Sequence, residues 1–266
     1  MSKREACELV QELARARERF PELAELLRFY ERLWALIVAR RQQVDVDFSA
    51  HMAHFDVDVW ARRGAPALAF GWLALREDEF RPWCGQVAEV LCERFPELEV
   101  PAEEPLVDLA RRFYEHHTTG HGGAIDALVL NALIPWLERA AEELVPRLPV
   151  ARWQRGYCPV CGGFPDFAVL QSARTRTLLC GRCSAQWPFP VARCPFCGEQ
   201  EPGRLGYYTD ERGLYRVDVC DSCGHYLKGV DGRRFRGVLR PEVERLLTPG
   251  LDVWAVQEGY MRPGGE

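Results

Sequence analysis

Eight of the chain's 11 cysteines fall in four C-x-x-C pairs: Cys158/Cys161, Cys180/Cys183, Cys194/Cys197 and Cys220/Cys223. Two thiolates separated by two residues curl around one ion while backbone N–H groups turn toward the sulfurs, and two such knuckles complete a tetrahedral four-thiolate site. The residue after the second cysteine often needs left-handed backbone, which glycine adopts without steric cost. Gly162, Gly198 and Gly224 occupy that place in three knuckles and Ser184 in the fourth. One C-x-x-C alone says little, but four at repeating intervals point to two metal sites. Consecutive pairing puts Cys158, Cys161, Cys180 and Cys183 around one ion and Cys194, Cys197, Cys220 and Cys223 around another; a cross-braced arrangement is the geometric alternative. Thiolates hold either zinc or iron, and C-P-x-C-G is also the knuckle of rubredoxin, so the expectation is two ions per chain of either metal. With all eight cysteines used, neither site keeps the open position of a catalytic zinc, which points to structure and away from hydrolysis. Disulfide exchange would call for a C-x-x-C at a helix N-terminus in a βαβ setting, and no pair reads that way.

The elements that would position these knuckles form an internal repeat. Each unit is a C-P-x-C-G knuckle, a hairpin, a second C-x-x-C and a short strand. The hairpins are "FAVLQSARTRTLLC" and "LGYYTDERGLYRVDV", the latter turning around Asp210–Gly213, and the closing strands are "QWPFPV" and "YLKGVD". In "LYRVDVC", Tyr215, Val217 and Val219 alternate with Arg216 and Asp218, so one strand face is apolar. Upstream the period changes to helical. Ser2 and Glu5 form a capping box ahead of Leu9 and Leu13. A second helix from about Pro21 carries an apolar stripe of Leu23, Leu26, Leu27, Tyr30, Leu33, Trp34 and Ile37, and further helices are predicted at 79–95, 103–117 and 124–147. The stretch "HMAHFDVDVWARRGAPALAFGW" reads as a long irregular connection. The fold class is therefore α+β and multidomain: an N-terminal α-helical bundle over 1–150, then two tandem rubredoxin-like or zinc-ribbon subdomains over 151–192 and 193–266, the second with a C-terminal helical tail. "VPRLPVARWQRGY" is the expected linker.

Charge and composition narrow the function. The 266 residues carry a formal net charge of −5, distributed as −8 over 1–150 and +3 over 151–266. An acidic first half argues against general nucleic-acid binding, which needs a clustered positive footprint. No stretch approaches the roughly 18 apolar residues of a membrane span. The charged N-terminus lacks the apolar core of a secretory signal, so a cytoplasmic protein is expected. No P-loop, G-x-G-x-x-G or Ser/His/Asp constellation is present, and no catalytic or cofactor-binding residue is assigned. His116, His117 and His121 cluster in "EHHTTGHGGA", where a helix end explains them better than a metal. His51 and His54, beside Asp56 and Asp58, are read the same way. Cys7, Cys84 and Cys92 are expected to be buried free thiols, and the arginines of "DGRRFRGVLR" a solvated face. Trp153, Trp187, Tyr207, Tyr208, Tyr215 and Tyr226 exceed what small ribbon cores need, which leaves some of them, with arginines, as interface anchors.

"CPVCGG", "CGRCSAQW", "CPFCGE" and "CDSCGHYLK", preceded by a helical half and followed by "VQEGYMRPG", resemble the FdhE family of formate dehydrogenase accessory proteins. The likeness is strongest over 151–262. It implies a non-catalytic cytoplasmic assembly factor, or chaperone, for respiratory formate dehydrogenase that engages the catalytic subunit, with the eight cysteines as rubredoxin-like iron or zinc ligands. Two other readings of the residues stand beside it: a nucleic-acid-binding double zinc ribbon, and a thiol redox enzyme acting on a client protein.

Overall fold

A computed structural model describes residues 3–262. Its helices are α1 (Lys3–Arg19), α2 (Ala24–Arg41), α3 (Ser49–Met52), α4 (Val57–Arg63), α5 (Glu77–Leu91), α6 (Leu106–His116), α7 (Gly123–Leu144), α8 (Pro241–Glu244) and α9 (Pro249–Gln257). Its strands are β1 (Pro165–Leu170), β2 (Thr175–Cys180), β3 (Gln186–Pro190), β4 (Leu205–Thr209), β5 (Tyr215–Cys220) and β6 (His225–Asp231). The chain divides into two units: Met1–His54 with Leu68–Leu144, and Phe55–Ala67 with Val145–Glu266.

The first unit is the expected helical bundle, packed around α7. That helix buries Leu128, Val129, Ala132, Leu133, Leu137, Ala140 and Leu144 and packs on α2, α5 and α6, which bury Leu33 and Ile37, Phe80 and Val87, and Leu106 and Leu109 respectively. Trp83 of α5 satisfies its indole N–H on the Ala132 carbonyl at 2.9 Å. Ser2 of the expected capping box lies outside the described residues, as do the side chains of Glu5 and Cys7.

The connection at 51–72 is more ordered than its Gly and Pro content suggests. Asp56 caps α4 by accepting the Val59 N–H at 2.8 Å, and Gly64 ends the helix in left-handed backbone at φ 72°. Two turns therefore form between a good N-cap and a good C-cap. Residues 55–67 group with the ribbons, although three helices of the first unit follow them in sequence.

In the second unit both hairpins and both closing strands form where the repeat places them. Asp210 tightens the second hairpin: its Oδ1 accepts the Leu214 and Tyr215 N–H groups at 2.7 and 2.9 Å, and Gly213 turns the chain at φ 62°. The ribbons do not make two separate sheets. β1 pairs in parallel with β6 through Ala168↔Gly229, Val169↔Val230 and Leu170↔Asp231, giving one six-stranded sheet in the order β3-β2-β1-β6-β5-β4. Two glycines permit the junction. A Cβ on Gly229 would lie 2.5 Å from the Ala168 carbonyl oxygen, and one on Gly156 would lie 1.7 Å from that of Pro195.

One face of this sheet is covered by the C-terminal tail. Phe167, Val169, Leu179 and Val230 pack with Phe235 and Leu239, while Val217, Val219 and Tyr226 pack with Leu251, Trp254 and Ala255 of α9. Polar groups lock this cover. Lys228 Nζ donates to Asp252 Oδ2 at 2.6 Å and to the Arg245 carbonyl at 2.8 Å, and the Tyr226 hydroxyl donates to Asp252 Oδ1 at 2.8 Å. Tyr226 and Lys228 are two apart on one strand, so both reach the same helix. The closing "EGYM" runs beside the last knuckle, with Met261 N–H on the Gly224 carbonyl at 2.7 Å and the Tyr260 hydroxyl on Asp221 at 2.8 Å.

Candidate metal centres

Each of the four C-x-x-C pairs folds into the same turn. The residue after the second cysteine donates its N–H to the first cysteine's carbonyl: Gly162 to Cys158 and Gly198 to Cys194 at 3.1 Å, Ser184 to Cys180 at 3.2 Å, and Gly224 to Cys220 at 2.8 Å. All four have positive φ: 74° at Gly162, 55° at Ser184, 81° at Gly198 and 69° at Gly224. Ser184 is the one non-glycine among them and carries the cost of a side chain in that region. Inside three of the turns an N–H points at sulfur at 3.4 Å: Val160 to Cys158, Arg182 to Cys180 and Phe196 to Cys194. These bonds stabilise thiolates, because they favour the charged form.

The hairpins bring knuckles together in consecutive pairs. Cys158, Cys161, Cys180 and Cys183 form one cluster and Cys194, Cys197, Cys220 and Cys223 the other, each with its four sulfurs within 4.8 Å of one another. The cross-braced alternative is not what the structure brings together, because each repeat closes on its own second pair. A tetrahedral metal with bonds of about 2.3 Å to sulfur requires about 3.8 Å between sulfurs. In the first cluster Cys158–Cys183 is 3.4 Å and both Cys161–Cys180 and Cys161–Cys183 are 3.5 Å. In the second, Cys194–Cys223 is 3.7 Å and Cys197–Cys220 is 3.6 Å. The donor set and the spacing fit a four-thiolate ion.

The two clusters use the same kind of ligand and differ in cover. All four cysteines of the first are buried. Burial pushes the Cys158 and Cys183 thiols well up, while hydrogen bonds from Cys158, Cys180 and Cys183 pull Cys161 well down. Full ionisation of such a buried set calls for a cation. In the second cluster Cys197 is exposed and Cys223 half-buried. Burial pushes Cys194 to about 11 and raises Cys223 as well. Glu199 ties the two knuckles of this cluster together. Its carboxylate accepts the Ser222 hydroxyl at 2.6 Å and the Gln200 and Glu201 N–H groups at 2.8 and 2.9 Å, which holds it near 2.

The remaining candidates have structural roles. His117 caps α6 at φ 65°, donating its N–H to the Phe113 carbonyl at 2.9 Å, and His121 Nε2 sits 2.9 Å from Glu104. His116 ends α6, and no metal-holding group of side chains includes any of the three among the described residues. His51 stacks on Trp72 at 4.2 Å. Asp58 pairs with Arg152 at 2.6 Å. Cys84 is buried, and burial lifts its thiol to about 12. Cys92, expected inside, is exposed: it is the C-cap of α5, where the chain leaves the packed face. In the arginine run, Arg233 and Arg234 are largely exposed and pair with Asp231. Trp153, Trp187 and Tyr226 are buried, whereas Tyr207 and Tyr208 are exposed.

No protein-family model matches the sequence. Among curated proteins, "Protein FdhE homolog" of Aquifex aeolicus strain VF5 is 24% identical over 264 residues, spanning 92% of this chain and 89% of the relative. "Protein FdhE" of Escherichia coli O127:H6 is 29% identical over 279 residues, spanning 93% and 84% respectively. The crystal structure of the FdhE protein from Pseudomonas aeruginosa superposes with a TM-score of 0.66 at 21% identity, over 95% of this chain and 91% of that one, which shows a shared fold. These relatives support the FdhE family. The likeness runs through the helical unit as well as the ribbons, so the FdhE fold covers more of the chain than the cysteine block alone. Among the described residues no helix is long and apolar enough to cross a membrane.

Proposed function

We propose that this chain is a non-catalytic, cytoplasmic accessory protein for the maturation of respiratory formate dehydrogenase that binds the enzyme's catalytic subunit. The eight cysteines would hold two structural ions, zinc or iron. The observation that carries this reading is the closure of both clusters: four thiols converge at each, with the spacing of a complete tetrahedron. Bound there, a metal supplies a cross-link between the two knuckles of each repeat and the charge balance for buried thiolates. The sheet and the tail then offer a fixed surface to a client. The full-length likeness to FdhE proteins supports the same role. The test is elemental analysis of the purified protein with its copurifying partner. Two metal atoms per chain and the formate dehydrogenase catalytic subunit are expected; protein without metal, or without that subunit when both are coexpressed, would overturn the reading.

One observation favours a second reading. Cys197 is exposed and Cys223 half-buried, the accessibility that thiol exchange with a client requires. Thiol titration of the metal-loaded protein decides between them, since eight protected cysteines are incompatible with a redox role.

A further inference from the structure

Successive strand residues face opposite sides, so register fixes which side chains share a face. Arg216 and Asp218 of β5 lie opposite Thr209 and Tyr207 of β4, and opposite Gly229 and Leu227 of β6. Across the parallel seam Gly229 meets Ala168, and through β1 and β2 the same face reaches Arg176, which pairs with Phe189 of β3. This is the face that the tail leaves uncovered. With the link between the ribbons, residues 191–196, it bounds a cleft of about 220 Å³ that belongs wholly to the second unit.

Arg176, Arg193 and Arg216 line the cleft beside Asp218 and two cysteines of the second cluster, Cys194 and Cys220. That carboxylate is already used: Arg176 Nη1 donates to Oδ2, and Arg216 Nε to Oδ1 at 2.9 Å. Arg176 is only 2% exposed, yet its Nε has no hydrogen-bond partner, and Arg193 Nε is also buried and unpartnered. Buried guanidinium nitrogens are almost always satisfied, so these two mark arginines whose donors the sheet itself does not use up. The cleft also opens at a sheet edge. β4 is the last strand; among the described residues only β5 pairs with it, and Gly206–Thr209 are exposed. Tyr207, 62% exposed, lies under the Arg216 guanidinium at 4.2 Å. An unpaired edge accepts an extended segment through main-chain bonds, while pockets beside it select alternate side chains.

We propose that this cleft and the β4 edge receive an extended peptide segment of a partner protein that carries a carboxylate next to an apolar side chain. The carboxylate meets the guanidiniums of Arg193 and Arg216, and the apolar side chain lies against Tyr207. The proposal rests on the partner-binding reading above and deepens it by naming the surface and the chemistry recognised there.

The experiment uses the full-length, metal-loaded protein to pan a displayed library of random peptides. Selected sequences should place Asp or Glu beside an aliphatic or aromatic residue. Their binding should fall about tenfold or more in Arg193→Glu and Arg216→Glu, and likewise in Thr209→Pro, which removes an N–H that faces outward from the β4 edge. It should be unchanged in Arg28→Glu of the helical unit. Two metal atoms per chain and an unchanged far-UV circular dichroism spectrum certify each variant as folded. Selection without an acidic preference, or binding indifferent to all three cleft variants, overturns the proposal. So does benzoate occupying the cleft as tightly as the best peptide, which would make a small carboxylate the ligand. The same variants are then mixed with the formate dehydrogenase catalytic subunit. If the wild type captures it and the cleft variants do so equally, the cleft is not the docking site while the partner reading stands. If the wild type does not capture it, that reading falls while the peptide result still judges the cleft.

Discussion

Replacement of Gly229 by alanine tests whether the two ribbons are one cooperative sheet. Gly229 has ordinary extended backbone, so the substitution introduces no left-handed strain and its effect is steric alone. The added methyl would lie 2.5 Å from the Ala168 carbonyl oxygen and 3.1 Å from its carbon. Carbon and oxygen rest at about 3.3 Å or more, so β1 and β6 must part by about 0.8 Å. The obstacle is backbone held in the ladder on both sides, which puts the cost at the upper end of the 1–3 kcal/mol typical of overpacking. Weakened seam hydrogen bonds add about 1 kcal/mol, and the lower chain entropy of alanine in the unfolded state returns about 0.5–1 kcal/mol. The net expectation is a loss of about 3 kcal/mol, roughly a hundredfold in the folding equilibrium. Urea unfolding of the metal-loaded protein, read with amide exchange of Val169 and Val230, measures both the loss and its location. Gly203→Ala, where an added Cβ meets nothing within 4 Å, is the control and should change stability by less than about 1 kcal/mol. A Gly229→Ala protein as stable as the wild type, with Val169 and Val230 still protected, would refute the claim that close approach at this glycine joins the ribbons.

Other outcomes follow from the same geometry. Under challenge with a chelator and a thiol-alkylating reagent, Cys197 and Cys223 should be modified before any of Cys158, Cys161, Cys180 and Cys183, because one cluster is open and the other buried; mass mapping of the modified peptides checks the order. Gly156→Ala would put a methyl 1.7 Å from the Pro195 carbonyl oxygen, within the knuckle that opens the second cluster. That protein should bind about one metal per chain instead of two, by elemental analysis, or fail to fold. Asp252 sets an acid limit. Burial alone would raise its carboxyl, but the charges of Lys228 and Arg262 hold it below the usual range. Below about pH 3.9 the unfolded chain binds this proton before the folded one does, so stability falls as pH falls toward the folded value. Asp252→Asn should be less stable at neutral pH, by about 3–5 kcal/mol for an uncompensated Lys228. It should also show a shallower acid slope between about pH 5 and 2 in parallel chemical denaturation series.

The local devices of the site were legible because they are local. A C-x-x-C followed by glycine specifies its own turn, and all four residues after the second cysteines adopt the expected positive φ, Ser184 included. Hairpin chemistry at Asp210 and Gly213 and the alternation of Tyr215, Val217 and Val219 likewise sit within one short segment. Long-range pairing does not. Nothing in "YLKGVD" announces a parallel neighbour, although Gly229 in a strand interior is a signal of close backbone approach. The polar residues of "YLK" were equally opaque, since Lys228 is buried only because Asp252 arrives from a helix well downstream. Arg216 and Asp218, the polar partners in that alternation, line a cleft, because the link between the two ribbons helps enclose it.

The same separation of local from long-range explains why two copies of one ligand pattern differ in exposure. The knuckles are alike in turn, donor set and sulfur spacing, so the ligands do not make the difference. Cover does. The first knuckle lies under residues 55–67: the Trp60 indole and the Ala67 N–H both donate to the Pro159 carbonyl, at 3.3 and 2.9 Å, and the Tyr157 hydroxyl reaches the Gly64 carbonyl at 2.7 Å. Trp60 in turn stacks on Trp153 at 4.7 Å, and Pro66 lies where a Cβ on Gly162 would go. Around the second cluster the cover includes Glu199 with Ser222 across its knuckles, the Phe196 ring against Phe164 and His225, and the Tyr260–Met261 strip beside Gly224, and it leaves Cys197 exposed. A segment placed upstream of most of the helical unit thus shields the first cluster from solvent. Loosening that segment, for example with Trp60→Ala, would give the buried cluster the accessibility of the exposed one without changing a single ligand.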